Sequence, residues 1–196
     1  MSSHHFVKEG QEPALFILEA ISLEVVEPLL EWVPFILVAD IALENVLRWG
    51  IKVDVILQHG NTHQEIKEKV NNQIPVQILS CNGENFMTKG LQFLIENNNL
   101  AVNLIASPGV DFFKEAEKFV HQIQICVVGQ NQKWSAVTSG KFQKWMPAGS
   151  KLAIRHDPVS PPHWQGLIQN GSTWETDRDG MVLIQAKSQF WIGEFD

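Results

Sequence analysis

The chain has 196 residues, 44% of them hydrophobic, and carries 22 acidic against 15 basic residues for a formal charge of -7; that is enough apolar material for a sizeable core, as one domain or two small ones, and too much for a disordered tail. The acidic balance and sparse basic clusters argue against nucleic acid, which needs a clustered cationic face. No apolar run approaches the about 18 residues of a membrane span, and the start Met1-Ser2-Ser3-His4-His5 lacks the charged-then-apolar pattern of a signal peptide, so the expected compartment is the cytoplasm.

From Pro13 to about Val128, short apolar runs alternate with amphipathic stretches of helical length. The runs Leu15-Leu18, Phe35-Ala39, Val53-Leu57, Val76-Leu79, Val102-Ala106 and Ile123-Val128 predict strands. Between them Leu23-Trp32, Ala42-Trp49, Thr62-Asn72, Phe86-Glu96 and Asp111-Val120 predict helices. Strands buried on both faces read as continuous apolar runs, so this alternation predicts βαβ units around a mostly parallel, doubly wound sheet. Gly50 after Trp49 has the place of a helix-ending glycine, and Asn61 with Glu65 that of a helix start. Two cysteines, Cys81 and Cys126, predict reduced, packed thiols rather than a bridged framework.

After Gly129 no helix-length periodic segment occurs. Short stretches at Ser135-Thr138, Phe142-Met146, Leu152-Ile154, Met181-Ala186 and Phe190-Ile192 are broken by turn residues at Ser139-Gly140, Pro147-Gly149, Asp157-Pro162, Asn170-Gly171 and Asp179-Gly180. This predicts a small all-β sandwich, giving an α/β domain over 1–128 and a β domain over 129–196. Seven tryptophans and no tyrosine are an oddity of composition; surplus tryptophans in a small β domain suit a core or an interface.

No G-x-G-x-x-G, phosphate loop, H-E-x-x-H, C-x-x-C or G-x-S-x-G motif is present. His59 and His63 have ligand-like spacing but no nearby third ligand, and read as one loop and one exposed helical histidine; no metal site is predicted. An open parallel sheet binds ligands beyond the carboxyl ends of its strands. Those ends hold Asp40, then Gln58-His59-Gly60-Asn61, then Ser80-Cys81-Asn82-Gly83-Glu84, then Ser107-Pro108-Gly109 before Asp111. Residues of these types also cap helices and make turns.

The stretch from Val38-Ala39-Asp40 through Gly50-Ile51-Lys52-Val53-Asp54 resembles thiamine pyrophosphokinase, whose segment reads roughly A-D-G-G-A-N and then G-I-K-P-D. Gly149-Ser150-Lys151-Leu152 is similar to that family's G-S-x-L, and Gly166-Leu167 and Gly180-Met181-Val182 through Phe190-Trp191-Ile192 look like its closing strands. The resemblance covers most of the chain. It implies an α/β domain followed by a β-sandwich, a homodimer with the site between subunits, and transfer of diphosphate from ATP to thiamine with Mg²⁺ held by several carboxylates.

The acidic motifs are altered. Where the family has G-D-F-D-S, this chain has Gln58-His59-Gly60-Asn61-Thr62; where it has D-x-D-x-T-D and then T/E-K-x-L, this chain has Cys81-Asn82-Gly83-Glu84-Asn85-Phe86 and then Thr88-Lys89-Gly90-Leu91. Ile41-Ala42-Leu43-Glu44 replaces Gly-Gly-Ala-Asn, and Ser107-Pro108-Gly109-Val110-Asp111-Phe112 keeps only the aspartate of G-G-R-x-D-H. The resemblance therefore makes Asp40, Asp54, His59, Asn61, Lys89 and Asp111 nucleotide-binding candidates, and Thr173 and Trp174 thiamine-binding candidates, with Trp164 a further aromatic wall. Three readings stand: an inactive or altered relative that keeps a thiamine-like or nucleotide ligand, a working kinase with rearranged Mg²⁺ ligands such as Asp40, Asp54, Glu84 and Asp111, or a different small-molecule enzyme with His59 as its acid-base group. ATP and Mg²⁺ are expected only if the kinase chemistry is retained.

Overall fold

The structure, a computed structural model, describes residues 12–60 and 63–195. The chain divides into two compact units between Ile125 and Cys126.

The first unit alternates strand and helix: β1 (Ala14–Ile17), α1 (Leu23–Leu30), β2 (Ile36–Ala39), α2 (Asp40–Leu47), β3 (Val55–Gln58), α3 (His63–Lys69), β4 (Gln77–Ser80), α4 (Phe86–Glu96), β5 (Ala101–Ile105) and α5 (Val110–Ala116). The five strands are parallel in the order β5-β1-β2-β3-β4, with Leu15 opposite both Ile36 and Asn103, and Ile56 opposite Val38 and Ile78. Every residue of β1, β2 and β3 is buried, as their unbroken apolar runs demand, whereas the edge strand β4 is half covered. The chain steps from β1 to β4 in one direction and returns through α4 to the far side of β1. Right-handed crossovers in opposite directions place α4 on the face opposite α1, α2 and α3.

Helix α4 shows why this frame is tight. Met87, Gly90, Leu91 and Leu94 form its buried stripe, and Asn85 caps it by accepting the Thr88 N–H at 2.7 Å. Gly90 lies against β1, where a β-carbon would stand 2.2 Å from a ring carbon of Phe16.

Four helices differ from the sequence expectation at their ends, α1 by stopping at Leu30 rather than Trp32. Helix α2 starts at Asp40, directly after β2, with Ala39 at the cap position and no capping side chain, and it ends at Leu47; Gly50 then turns the chain at φ +70° and donates its N–H to the Leu47 carbonyl. Helix α3 stops at Lys69, and a 3₁₀ turn, Asn71–Gln73, follows. That turn brings the Gln73 amide to β3's entrance, where it accepts the Val53 N–H and donates to the Ile51 carbonyl; satisfying this backbone substitutes for another helical turn. Helix α5 ends at Ala116 rather than near Val120. The expected start at Asn61 lies outside the described residues.

The second unit is all β. After β6 (Gln124–Gly129) come β7 (Gln132–Val137), β8 (Lys141–Met146), β9 (Lys151–Arg155), β10 (His163–Gln165), β11 (Ile168–Asn170), β12 (Thr173–Glu175), β13 (Gly180–Gln185) and β14 (Phe190–Phe195). One antiparallel set runs β11-β12-β9-β14-β7-β6, and a separate three-stranded sheet runs β10-β13-β8. Val137, Leu152, Ile154, Trp174 and Ile192 from the first set and Met146, Val182 and Ile184 from the second share one core, as in a sandwich. Sequence patterning missed β10, β11 and β12: each is three residues long, too short to show a period, and of their residues only Trp174 is buried. Of the tryptophans, Trp134, Trp174 and Trp191 are buried, while Trp32 and Trp145 are exposed.

Candidate functional site

The carboxyl ends of β2, β3 and β4 come together in the first unit. Asp40 begins α2 at the end of β2, and its Oδ2 accepts the backbone N–H of His59 at 2.8 Å. The His59 ring crosses to the loop after β4: Nε2 lies 2.9 Å from the Glu84 carbonyl, and the ring stacks on Phe86 with centroids 4.1 Å apart. A carbonyl only accepts, so Nε2 carries a proton, and in the neutral tautomer that this selects the lone pair lies on Nδ1. Three elements separated by 19 and 25 residues are thus tied through one histidine.

The β4–α4 loop is shaped by its own backbone. Asn82 and Gly83 have positive φ of 40° and 92°, and the Glu84 N–H donates to the Cys81 carbonyl at 2.7 Å; this is the Asn-Gly signature of a mirror-image tight turn. The Ser80 hydroxyl donates to Asn82 Oδ1, and the turn delivers Glu84 to within 3.2 Å of Lys89 Nζ on α4. A crevice of about 530 Å³ opens between His59, Gly60, Ser80 and residues 82–85.

Two buried side chains neighbour its lining residues along the chain. Gln58 is 2% exposed; its Nε2 donates to the Gly60 carbonyl at 3.1 Å, and its Oε1 has no partner among the described residues. Cys81 is fully buried. Burial pushes its thiol above the ordinary range, the nearby Asp40 and Glu84 carboxylates push the same way, and Lys89 opposes them. It is an inert packed thiol rather than a nucleophile.

The remaining site candidates lie elsewhere. Asp54 precedes β3, at the amino end of the strands, where it accepts the Ile36 N–H at 2.9 Å and pairs with Lys52 at 3.2 Å. Asp111, on the first turn of α5, has a side chain 97% exposed and meets Lys114. Asn61 lies outside the described residues. His63 is exposed on α3. In the second unit the Thr173 hydroxyl donates to the Asn170 carbonyl and closes the β11–β12 hairpin, while Trp174 is a core residue in edge contact with Trp164 at 5.6 Å.

Sequence reasoning placed Gln58 among the strand-end residues but made neither it nor Phe86 a binding candidate. Phe86 carried a signal, being the first apolar residue after the capping Asn85, but only tertiary structure sets it against His59. No helix among the described residues is long and apolar enough to cross a membrane.

No protein-family model matches the chain, and no curated protein matches it. Solved structures do. The thiamine pyrophosphokinase of Bacillus subtilis superposes with a TM-score of 0.67 at 9% identity, covering 93% of this chain and 98% of that one. The enzyme of Candida albicans gives 0.68 at 9% identity, covering 96% and 91%, and the yeast enzyme gives 0.70 at 10% identity, covering 96% and 88%. The chain has the fold of these enzymes, an α/β unit followed by a β unit.

A magnesium ion for diphosphate transfer asks for carboxylate oxygens gathered at one point. Here one oxygen of Asp40 is taken by the His59 N–H, and Glu84 is paired with Lys89. Among the described residues no group of three or more His, Cys, Asp or Glu is placed to hold a metal ion. The donor set does not fit that ion.

Proposed function

We propose that this protein is a diverged member of the thiamine pyrophosphokinase family that keeps a small-molecule crevice in its α/β unit and does not carry out Mg²⁺-dependent diphosphate transfer. The likeness of fold to solved thiamine pyrophosphokinases over more than nine-tenths of the chain supports the family. The observation that carries the loss of activity is the commitment of the carboxylates at and beside the crevice, Glu84 to Lys89 and Asp40 to the His59 backbone. Phosphoryl transfer depends on metal and cationic groups stabilising charge on the transferred oxygens, and a crevice without a metal-binding set lacks the larger part of that stabilisation. The Glu84 carbonyl holds His59 Nε2 and Phe86 covers one ring face, which fixes the orientation of the ring and leaves its lone pair on Nδ1.

The test is direct. Purified protein given ATP, Mg²⁺ and thiamine yields no AMP and no thiamine diphosphate above a blank. Turnover abolished by Asp40→Ala overturns this reading in favour of a working kinase. A ligand that binds only the folded state raises the melting temperature by mass action, so a retained thiamine-like or nucleotide ligand shows as a shift without turnover. The same family reading carries a homodimer, checked by light scattering on the purified chain, and a cytoplasmic location, checked by cell fractionation.

A further inference from the structure

The chain holds two Asn-Gly steps, Asn82-Gly83 in the loop after β4 and Asn170-Gly171 in the β11–β12 hairpin. An asparagine before glycine is open to attack on its own side chain, because no β-carbon shields the backbone nitrogen that follows it. Whether a folded chain permits the attack depends on how firmly the peptide unit between the two residues is held.

At Asn82-Gly83 that unit is free. The Glu84 N–H closes the turn onto the Cys81 carbonyl, and among the described residues neither the Asn82 carbonyl nor the Gly83 N–H has a hydrogen-bond partner. Both residues are exposed, and no atom lies within 4 Å of where a β-carbon on Gly83 would stand. The Asn82 side chain, by contrast, is fixed: the Ser80 hydroxyl donates to its Oδ1 at 2.8 Å. A donor thus sits on the oxygen where negative charge develops when that carbonyl is attacked. The Glu84 carboxylate opposes loss of the Gly83 N–H proton, and Lys89, 3.2 Å from it, offsets that opposition. Asn170-Gly171 lacks these features. Its peptide carbonyl accepts the Thr173 hydroxyl at 3.1 Å, Asn170 is paired with Thr173 in the hairpin ladder, and no hydroxyl donates to its Oδ1 among the described residues.

We infer that Asn82 is a site of spontaneous deamidation, a one-way charge switch in the wall of the crevice. The Gly83 nitrogen gives its proton to hydroxide and bonds to Asn82 Cγ. The Cγ–Nδ2 bond then breaks, and ammonia leaves with a proton taken from water, which restores the hydroxide and closes a five-membered succinimide. Water opens either imide carbonyl and leaves aspartate or isoaspartate at position 82. The sum is one water consumed and one ammonia released, with nothing oxidised or reduced. Among the described lining residues the crevice starts with one carboxylate, Glu84, and ends with two. Isoaspartate also lengthens the backbone of the turn that brings Glu84 to Lys89.

The experiment incubates the full chain at mildly alkaline pH and maps its peptides by mass spectrometry, with isoaspartate told apart by fragmentation. Position 82 gains the about 1 Da of an amide-to-acid exchange severalfold faster than position 170, as a mixture of aspartate and isoaspartate. In urea, where neither loop is held, the two positions convert at similar rates. Ser80→Ala, an exposed change checked for folding by its melting temperature, slows conversion at 82 severalfold and leaves 170 unchanged. Conversion at 170 as fast as at 82 in the folded chain overturns the inference, as does an Asn82 that stays intact. So does a preference for 82 that persists in urea, a rate unmoved by Ser80→Ala, or a product holding aspartate alone, since direct hydrolysis makes no isoaspartate.

Discussion

Asp40 and Asp54 are both aspartates in the stretch that resembles the kinase motif, yet they sit at opposite ends of the same parallel sheet. Asp40 follows β2 and holds the backbone of the β3 exit loop, beside a crevice with room for a ligand. Asp54 precedes β3, accepts the Ile36 N–H and pairs with Lys52, tying the entrances of neighbouring strands together. The carboxyl ends of parallel strands are where loops are free to carry chemistry, and the amino ends are where the sheet is secured. The same side chain is therefore a site residue in one place and a brace in the other.

Several substitutions break or sharpen that contrast. The largest effect falls on the frame that holds the two ends apart: Gly90→Ala drives a methyl into the buried Phe16 ring and lowers unfolding stability by about 3 kcal/mol in urea titrations. Next, Asp54→Ala orphans the Ile36 N–H and costs about 2 kcal/mol while leaving ligand titrations unchanged. Asp40→Ala has the opposite profile, a stability loss of about 1 kcal/mol with weakened binding at the crevice, because the His59 loop it releases is exposed. Equal effects of the two aspartate substitutions on binding would erase the distinction drawn between the ends of the sheet.

A pH experiment probes the helical layer behind the crevice. Lys118 holds the Glu115 carboxyl below the usual carboxylate range, with help from the Thr88 hydroxyl on α4. A carboxylate with a lowered folded-state pKa contributes stability above its unfolded pKa and loses it as pH falls through the folded one. Glu115→Gln is thus less stable than the parent at pH 7, and the difference closes on acidification below the ordinary carboxylate range, as followed by urea midpoints. The smallest effect is that of Lys69→Ala, which removes an exposed pair with Glu44 and changes stability by less than about 0.5 kcal/mol.

Much of the first unit was legible because its strands are buried on both faces and its helices on one, so period and composition mark each element. The run Phe86-Glu96 is α4 to the residue, with Asn85 as its cap. Element ends were less legible where tertiary demand intervened: α3 stops early because Gln73 is needed at the backbone of the β3 entrance. In the second unit, β10, β11 and β12, at three residues each, are too short to leave a pattern. The candidate site was legible as a set of loops, and Asp40, His59 and Lys89 do meet there through Glu84 and the His59 backbone. Asp54 looked equivalent to them only because a motif records order along the chain and not the end of the sheet on which a residue falls, whereas Asp111 does follow a carboxyl end, that of β5, but turns its side chain out to solvent.

Order, periodicity and residue type by themselves determined an α/β unit followed by a β unit, since burying one face or two leaves a local imprint on the sequence. The loss of acidic residues from the loops after β3 and β4 is likewise a fact of sequence. Only the tertiary structure decided that His59 would lie on Phe86, that Glu84 would be answered by Lys89, and that Gln58 would be left buried with an unanswered oxygen. The first joins segments brought together by strand order and crossover, which no local pattern of residues encodes; the other two involve near neighbours and depend on the Asn82-Gly83 turn and on the burial of the end of β3.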